Sequence, residues 1–335
     1  MNIIEHSAYV TCRKHLKAAL DNFMPGHMVF LIGPSGVGKT TLRHSVMQEM
    51  FGNPLHWGRG RIPAIEVFAK LPNRAYFSSR ELAISLLDEL NVPSLNWFFA
   101  QNNVDKSVEK RIKDEISECG DVWAMLRPKM ATEGDYWRAF QLTLSARSCK
   151  YVSIDQANAL LVNRSDTSPS DHTLHLMSLA ESAGVMFIMT GIHTVTKLWA
   201  IHSELRRRVI PVWMPPYSDR RKEDETHYLR LLKTLSSKYE LSKCDLLCTM
   251  AHDIMAATGG IFAEIIQLLN RAREKVFGEG GEYIRKKDIE DSYYNNTDMA
   301  TLWQDIEAFE ESMAAGDVSQ RAALTAARWR RKEES

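Results

Sequence analysis

Short apolar runs alternate with helical patterns over the first two thirds of the chain. Four of these runs are mostly apolar from end to end, which is typical of strands that are buried on both faces. They comprise residues 28–32, 62–68, 150–154 and 184–189. A fifth strand is predicted at 209–214. Because the strands alternate with helical segments, we expect parallel βαβ units in a three-layer α/β domain.

The pattern becomes almost purely helical after the Pro215-Pro216 pair, which is the predicted domain boundary. Helices are predicted there at about 219–238, 243–257, 261–277 and 286–296. We therefore expect an α/β domain at 1–216, a small helical domain at 217–297 and a C-terminal interaction tail at 298–335.

The tail carries its charge in two separate blocks. Residues 302–313 contain four acidic residues and no basic one, and residues 321–332 contain five basic residues and no acidic one. Such blocks are often interaction arms, and the alternative is a solvated helix that packs back on the helical domain.

The composition excludes several classes of protein. Of the 335 residues, 44% are apolar and 25% are charged, which is ordinary for a globular protein with a large core. Basic and acidic residues both number 42, so the formal net charge is zero and bulk charge does not favour nucleic-acid binding. No apolar run approaches about 18 residues, so we expect no membrane span, and no signal peptide is recognised. Five scattered cysteines favour a reducing, cytoplasmic environment.

The segment 33–40, GPSGVGKT, matches the phosphate-binding motif G-x-x-x-x-G-K-[ST] at every fixed position. Its glycines allow backbone N–H groups to surround the phosphates of ATP, and the helix that follows adds a positive dipole. Lys39 is expected to reach the β- and γ-phosphates, and the Thr40 hydroxyl is expected to bind Mg²⁺. The predicted nucleotide-binding residues are Gly33, Pro34, Ser35, Gly36, Val37, Gly38, Lys39, Thr40 and Thr41.

The second half of a nucleotide site requires an acid at the tip of a buried strand, and Asp155 follows the third predicted strand. We expect Asp155 to hold the Mg²⁺ ion through water. The next residue is Gln156, where many such ATPases carry a glutamate that orients the attacking water. A glutamine binds water but cannot take its proton. Either the protein is naturally a slow ATPase, or a Glu→Gln substitution traps bound ATP; the sequence leaves both open.

Two further predicted elements complete this site. Thr190 follows the fourth strand and is placed to bind the γ-phosphate or the water. Arg207 and Arg208 precede the fifth strand, where an arginine from one subunit could stabilise charge on the phosphoryl group bound to its neighbour. The alternative for these arginines is the solvated basic end of a helix, which suits the helix dipole.

These motifs, in this order, resemble those of the AAA+ ATPases. Within that class the chain looks like the transposition regulators of the TnsC/TniB/MuB type. The similarity rests on 33–41, 154–160 and 204–216, together with the lid segment 258–269. The short length and a helical insert at about 94–135 look most like TnsC of CRISPR-associated transposons.

The resemblance implies a P-loop AAA+ fold, with a parallel three-layer α/β sheet and a small C-terminal helical lid. It implies an ATP-dependent ring or filament of the protein with itself on double-stranded DNA. Such an assembly connects a target-selection complex of the TniQ–Cascade type to the transposase subunits. By position, Lys39, Thr40 and Asp155 would bind nucleotide and Mg²⁺. Thr190 would be the first sensor, and Arg208, or else Arg207, would be the arginine finger.

The sequence departs from this pattern in two places. Gln156 stands at the usual glutamate position, and the lid segment has no arginine near Gly260, where many AAA+ proteins place a second sensor. Hydrolysis is therefore expected to be weak, with ATP acting mainly to hold the assembly together.

A candidate DNA surface lies between Trp57 and Arg80, where five basic residues and four aromatic residues accompany a single acid, Glu66. Phosphate contacts from such a segment supply affinity that does not depend on sequence. We expect Lys70, Arg74 and Arg80 to bind DNA, and the alternative is a solvated edge loop.

Cys244, Cys248 and His252 are spaced to lie on one face of the helix predicted at 243–257. Core packing of that face is a better interpretation than a zinc site, which needs four ligands.

Two functions outside transposition remain open. One is an AAA+ loader or remodeller of the replication-initiation or helicase-loader type. The other is a metabolic P-loop kinase. The arginine-rich segment at 204–208 and the helical lid argue against this function.

Overall fold

The computed structural model describes residues 7–70, 76–100, 104–126, 132–162, 168–200 and 202–316. Within these ranges the chain divides into two compact units. The first contains residues 11–32 and 39–212, and the second contains residues 7–10, 33–38 and 213–316. The change of unit after residue 212 lies close to the proline pair at 215–216. The grouping of 33–38 with the C-terminal helices has no signal in the sequence.

The first unit is built on a five-stranded sheet with the strand order β2-β3-β4-β1-β5. The strands are β1 (Met28–Ile32), β2 (Ala64–Phe68), β3 (Tyr151–Asp155), β4 (Met186–Gly191) and β5 (Val209–Trp213). The pairs β2–β3, β3–β4 and β4–β1 are parallel, and β1 and β3 are buried along their full length. The predicted parallel α/β class is therefore confirmed. The predicted strands at 62–68, 150–154 and 184–189 were displaced from the observed ones by one or two residues.

Eight α-helices accompany these strands in the described ranges. They are α1 (Ser7–Asp21), α2 (Lys39–Phe51), α3 (Ser79–Asn91), α4 (Asn96–Phe99), α5 (Lys106–Leu126), α6 (Glu133–Ala146), α7 (Pro169–Ala183) and α8 (Ser203–Arg208). Helix α3 starts where Ser78 Oγ accepts a hydrogen bond from the Glu81 N–H at 3.2 Å, and α6 starts in a capping box of Thr132 and Asp135. Helices α4 and α5 fall within the predicted insert at 94–135.

The second unit is helical after the fifth strand. Its helices are α9 (Lys222–Ser236), α10 (Leu246–Thr249), α11 (Ala251–Thr258), α12 (Phe262–Gly278), α13 (Lys286–Glu290) and α14 (Asn296–Gly316). Apolar residues at helical spacing, such as Leu232, Leu235, Leu268 and Leu269, form one core among them. None of the described helices is both long and apolar enough to cross a membrane.

The prediction of one continuous helix at 243–257 is wrong, because the chain forms two separate helices, α10 and α11, with an interruption at Met250. Cys244 therefore precedes α10 instead of sharing a helix face with His252. Cys244 and His252 are both exposed, so core packing is also wrong for these two residues, while Cys248 is half-buried at the edge of the core. Within the described ranges, no three His, Cys, Asp or Glu side chains are grouped so as to hold a metal ion.

Helix α14 contains the described part of the predicted tail. Ile306 and Phe309 are buried, and the Phe309 ring meets the Trp213 ring edge to face at 5.8 Å between centroids. Glu310, from the acidic block, accepts a hydrogen bond from Arg220 at 3.1 Å. The acidic block thus belongs to a helix packed in the second unit, and the basic block at 321–332 lies outside the described residues.

Candidate nucleotide-binding site

The end of the phosphate-binding motif opens helix α2, and its threonine faces the tip of β3. The Thr40 hydroxyl donates a hydrogen bond to Asp155 Oδ2 at 3.0 Å. Asp155 is the last residue of β3 and is 6% exposed. Parallel strands end at one edge of a sheet, which is where α/β proteins place their ligands. The structure therefore brings together the two residues that the sequence predicts as Mg²⁺ ligands.

This pair of oxygens fits Mg²⁺ on chemical grounds. Hydroxyl and carboxylate oxygens are hard ligands, and Mg²⁺ is usually held by one or two protein groups together with water and substrate phosphates. Thr40 and Asp155 are therefore the residues that would hold the ion together with a bound nucleotide.

Lys39 is the first residue of α2 and is partly buried. Burial lowers the pKa of its ammonium group to about 8, and the nearby Asp155 carboxylate opposes that shift. The N-terminus of a helix carries a positive partial charge, so an anion bound next to Lys39 would favour its charged form.

Arg43, which no sequence motif identifies, has a side chain that is completely buried beneath this site. Arg43 Nη1 donates to Thr190 Oγ1 at 2.9 Å, and Nη2 donates to Asp155 Oδ2 at 3.0 Å. Nη2 also forms an ion pair with Glu66 Oε1, the oxygen that lies 2.9 Å from His44 Nε2. A signal was present, because a single acid within the apolar run AIEVF requires a buried partner.

Gln156 directly follows Asp155 and has a left-handed backbone conformation, with φ of +55°. Its N–H donates to Asp155 Oδ1 at 2.8 Å, while its side chain is exposed. Non-glycine residues held in this conformation are concentrated at functional sites. The role of its amide toward water stays a prediction.

Thr190 lies in β4 opposite Leu31 of β1, and it is completely buried. Its hydroxyl group accepts a hydrogen bond from Arg43, which also donates to Asp155, so the strand-end residues Thr190 and Asp155 share one buried partner. Its role toward a phosphate or a water molecule stays a prediction.

The two candidate finger arginines differ in their surroundings. Arg208 makes two hydrogen bonds to the Glu181 carboxylate, at 2.7 and 3.2 Å. Arg207 is exposed and forms no ion pair with any residue that the structure describes. Both lie in α8, at its C-terminal end.

In the second unit, the glycine loop at 33–38 contacts the start of α12. The Ala263 N–H donates to the Gly36 carbonyl oxygen at 3.1 Å. Gly36 has a φ of +81°, and a Cβ atom there would lie 2.7 Å from Ala263 Cβ. The position therefore requires glycine for both its backbone conformation and its close contact with the helix.

The predicted DNA-binding residues are only partly described. Lys70 follows β2, Arg80 is the second residue of α3, and both are exposed, while Arg74 lies outside the described residues. Arg59 and Arg61 precede β2 and line a cavity of about 380 Å³ with one face of α5. Strand β2 therefore divides the basic segment between two opposite edges of the sheet. Glu66 is buried and does not offset the charge at either edge.

No protein-family model and no curated protein matches this chain. Among solved structures, the chain is similar to the ORC2 protein of Aeropyrum pernix in its ADPNP-ADP complexes, with 12% identity and a TM-score of 0.50. The match covers 85% of this chain and 66% of ORC2, so the chain spans slightly less than two thirds of that protein. The ADP form of ORC2 matches over the same shares at 14% identity, also with a TM-score of 0.50.

A match to the Thermotoga maritima RuvB Holliday junction branch migration motor has 13% identity and a TM-score of 0.42. It covers 85% of this chain and 67% of RuvB. The similarity to ORC2 shows the fold, a parallel α/β sheet accompanied by C-terminal helices. The predicted fold class is confirmed.

Nucleotide binding is expected to take up a proton at Lys39 in mildly alkaline solution. With a pKa of about 8, Lys39 is largely neutral at about pH 9 without ligand, and phosphate oxygens favour its charged form. Calorimetric titration with Mg²⁺–ATP, in buffers of different ionisation enthalpy, should show uptake approaching one proton at about pH 9 and little at pH 7. Lys39→Arg, which stays charged, should lose this uptake. Equal uptake in both proteins would assign the proton to another group.

Proposed function

We propose that the chain is an AAA+ ATPase that binds ATP with Mg²⁺ and assembles on double-stranded DNA. The observation that supports this most directly is the contact of Thr40 with Asp155, next to the partly buried Lys39, at the carboxyl edge of a parallel sheet. Thr40 and Asp155 are 115 positions apart in the sequence. Their meeting supports one site made from the phosphate-binding motif and the strand-end acid.

Each residue has a separate task in this proposal. Lys39 binds the β- and γ-phosphates, and Thr40 and Asp155 hold Mg²⁺, which neutralises developing charge on the phosphates when it is bound. Thr190 donates a hydrogen bond to the γ-phosphate or to the attacking water. Gln156 orients that water without accepting its proton, which makes turnover slow.

Replacing Gln156 with glutamate is expected to raise the rate of ATP hydrolysis about 100-fold, because a positioned carboxylate can accept the water proton. The rate is measured as phosphate release at saturating ATP. Gln156→Ala serves as the control and should stay slow while ATP affinity is unchanged. Equal rates for the glutamine and glutamate proteins would show that residue 156 does not orient the water.

The proposal includes an ATP-dependent homo-oligomer, a ring or filament, with an arginine finger from each subunit. The Arg208 pair with Glu181 and the exposure of Arg207 support Arg207 as the finger. An exposed guanidinium that has no ion-pair partner among the described residues keeps its donors for a phosphoryl group on a neighbouring subunit.

Arg207→Ala is expected to weaken ATP-dependent oligomers without changing ATP binding by the monomer. Sedimentation velocity with and without ATP measures the assembly. Arg208→Ala should behave like its matched control Glu181→Ala, because both remove the same ion pair. If Arg208→Ala dissolves the oligomers and Arg207→Ala and Glu181→Ala do not, the finger is Arg208.

We assign DNA binding to the edge of the sheet that carries Lys70 and Arg80, and we include Arg74, which lies outside the described residues, because it falls between them in the sequence. Burial of Glu66 leaves the basic charge of this segment uncompensated by its only acid. Oligomers that align several such segments would add many weak phosphate contacts along one duplex.

Alanine replacement of Lys70, Arg74 and Arg80 together is expected to weaken duplex DNA binding with ATP at least about tenfold, and to make it less dependent on salt. Fluorescence anisotropy over a series of salt concentrations measures both effects. The matched control is Arg59→Ala with Arg61→Ala, which removes basic charge at the opposite end of β2. A loss confined to the control pair would move the DNA surface to that edge.

The biological role that we propose is regulation of DNA transposition. The assembly would connect a target-selection complex of the TniQ–Cascade type to transposase subunits, and the basic block at 321–332 is a proposed contact for the transposase. The similarity to ORC2 concerns the fold and does not separate this role from a replication-initiation or helicase loader. Transposition reconstituted from purified components, with this protein included or omitted, separates the two roles.

A further inference from the structure

We propose that Arg43 is a positioning residue for ATP hydrolysis, which fixes the Thr190 hydroxyl as a hydrogen-bond donor and holds the Asp155 carboxylate in place. This inference rests on the proposed ATPase function. Arg43 lies four residues after Lys39, so it projects from the same side of α2 one turn further along the helix. From there it connects the ends of β3 and β4, which carry Asp155 and Thr190.

The contact with Thr190 determines which way its hydroxyl group points. A guanidinium group has donors and no acceptor, so Thr190 Oγ1 must accept the hydrogen bond from Arg43 at 2.9 Å. The Thr190 proton is then directed away from Arg43. A hydroxyl held in this way is a donor toward a phosphate oxygen or a water molecule, as the proposed role of Thr190 requires.

The contact with Asp155 completes the hydrogen bonding of that carboxylate. Asp155 Oδ1 accepts from the N–H of Gln156 at 2.8 Å, and Oδ2 accepts from Thr40 and from Arg43, each at 3.0 Å. Outer partners of this kind orient the carboxylates that hold metal ions, and their loss commonly costs 10- to 100-fold in metal affinity or activity. Arg43 is the charged partner in this set.

The alternative is that Arg43 is only the counter-ion of Glu66. The geometry argues against this interpretation. A dedicated arginine–carboxylate pair is usually bidentate, with both oxygens engaged. Here only Glu66 Oε1 meets Arg43, while Glu66 Oε2 is buried without a hydrogen-bond partner among the described residues. The two terminal nitrogens of Arg43 are instead divided between Thr190 and the two carboxylates.

The double variant Arg43→Met with Glu66→Gln separates the two roles, because it removes the charges of Arg43 and Glu66 together. Asp155 keeps its hydrogen bonds from Thr40 and from the Gln156 N–H. Glu66→Gln alone is the matched control. We expect the double variant to unfold thermally at a temperature close to that of the control and to bind ATP within about threefold of it. The Mg²⁺ concentration for half-maximal ATP binding should rise about tenfold or more, and hydrolysis should fall by a similar factor.

Thr190 supplies the second arm of this experiment. Thr190→Val should lower the hydrolysis rate, and adding it to the double variant should cause little further loss, since both changes remove one shared contact. Rates are measured in the Gln156→Glu protein as well, where turnover is expected to be faster. Mg²⁺ dependence and hydrolysis equal to those of the control would overturn the proposal. If the unaltered protein does not bind ATP, the proposed function itself is wrong. This outcome differs from one in which ATP binds but the Arg43 variants behave like the control.

Discussion

A completely buried guanidinium group at the carboxyl edge of the sheet is the interaction on which the site depends. Removing an ion from water costs several kcal/mol, and hydrogen bonds to groups of suitable charge offset this cost. The two terminal nitrogens of Arg43 find such groups on three strands, at Glu66, Asp155 and Thr190, while its Nε is buried without a hydrogen-bond partner among the described residues. The parallel arrangement is essential here, because it brings the ends of β3 and β4 to the same edge.

The parts of the site that follow from local patterns could be predicted. The phosphate-binding motif, Asp155 and Thr190 each lie at the end of an apolar run, so sequence and strand position together identify them. The role of Arg43 could not be predicted in that way, because Arg43 contacts Asp155 and Thr190 together only where β3 and β4 are adjacent. Nothing in the chain order alone gives the strand order that creates that adjacency.

Elsewhere, tertiary structure changed what a linear pattern indicated. The spacing of Cys244, Cys248 and His252 fits one helix face only if the helix continues through Met250, where it is interrupted. The basic segment before α3 looks continuous along the sequence. In space, five extended residues of β2 cover about 17 Å, which is enough to separate Arg59 and Arg61 from Lys70 and Arg80.

The hydrogen bond from Ala263 N–H to the Gly36 carbonyl has a different kind of consequence. Both the donor and the acceptor are backbone atoms, so this hydrogen bond links the phosphate-binding loop to the first turn of α12 without using a side chain. A shift of that loop is therefore transmitted to the helix without the rotamer freedom that would absorb it in a side-chain contact. A proline at 263 would remove the donor of this hydrogen bond, and a side chain at 36 would lie too close to Ala263 for it to form unchanged.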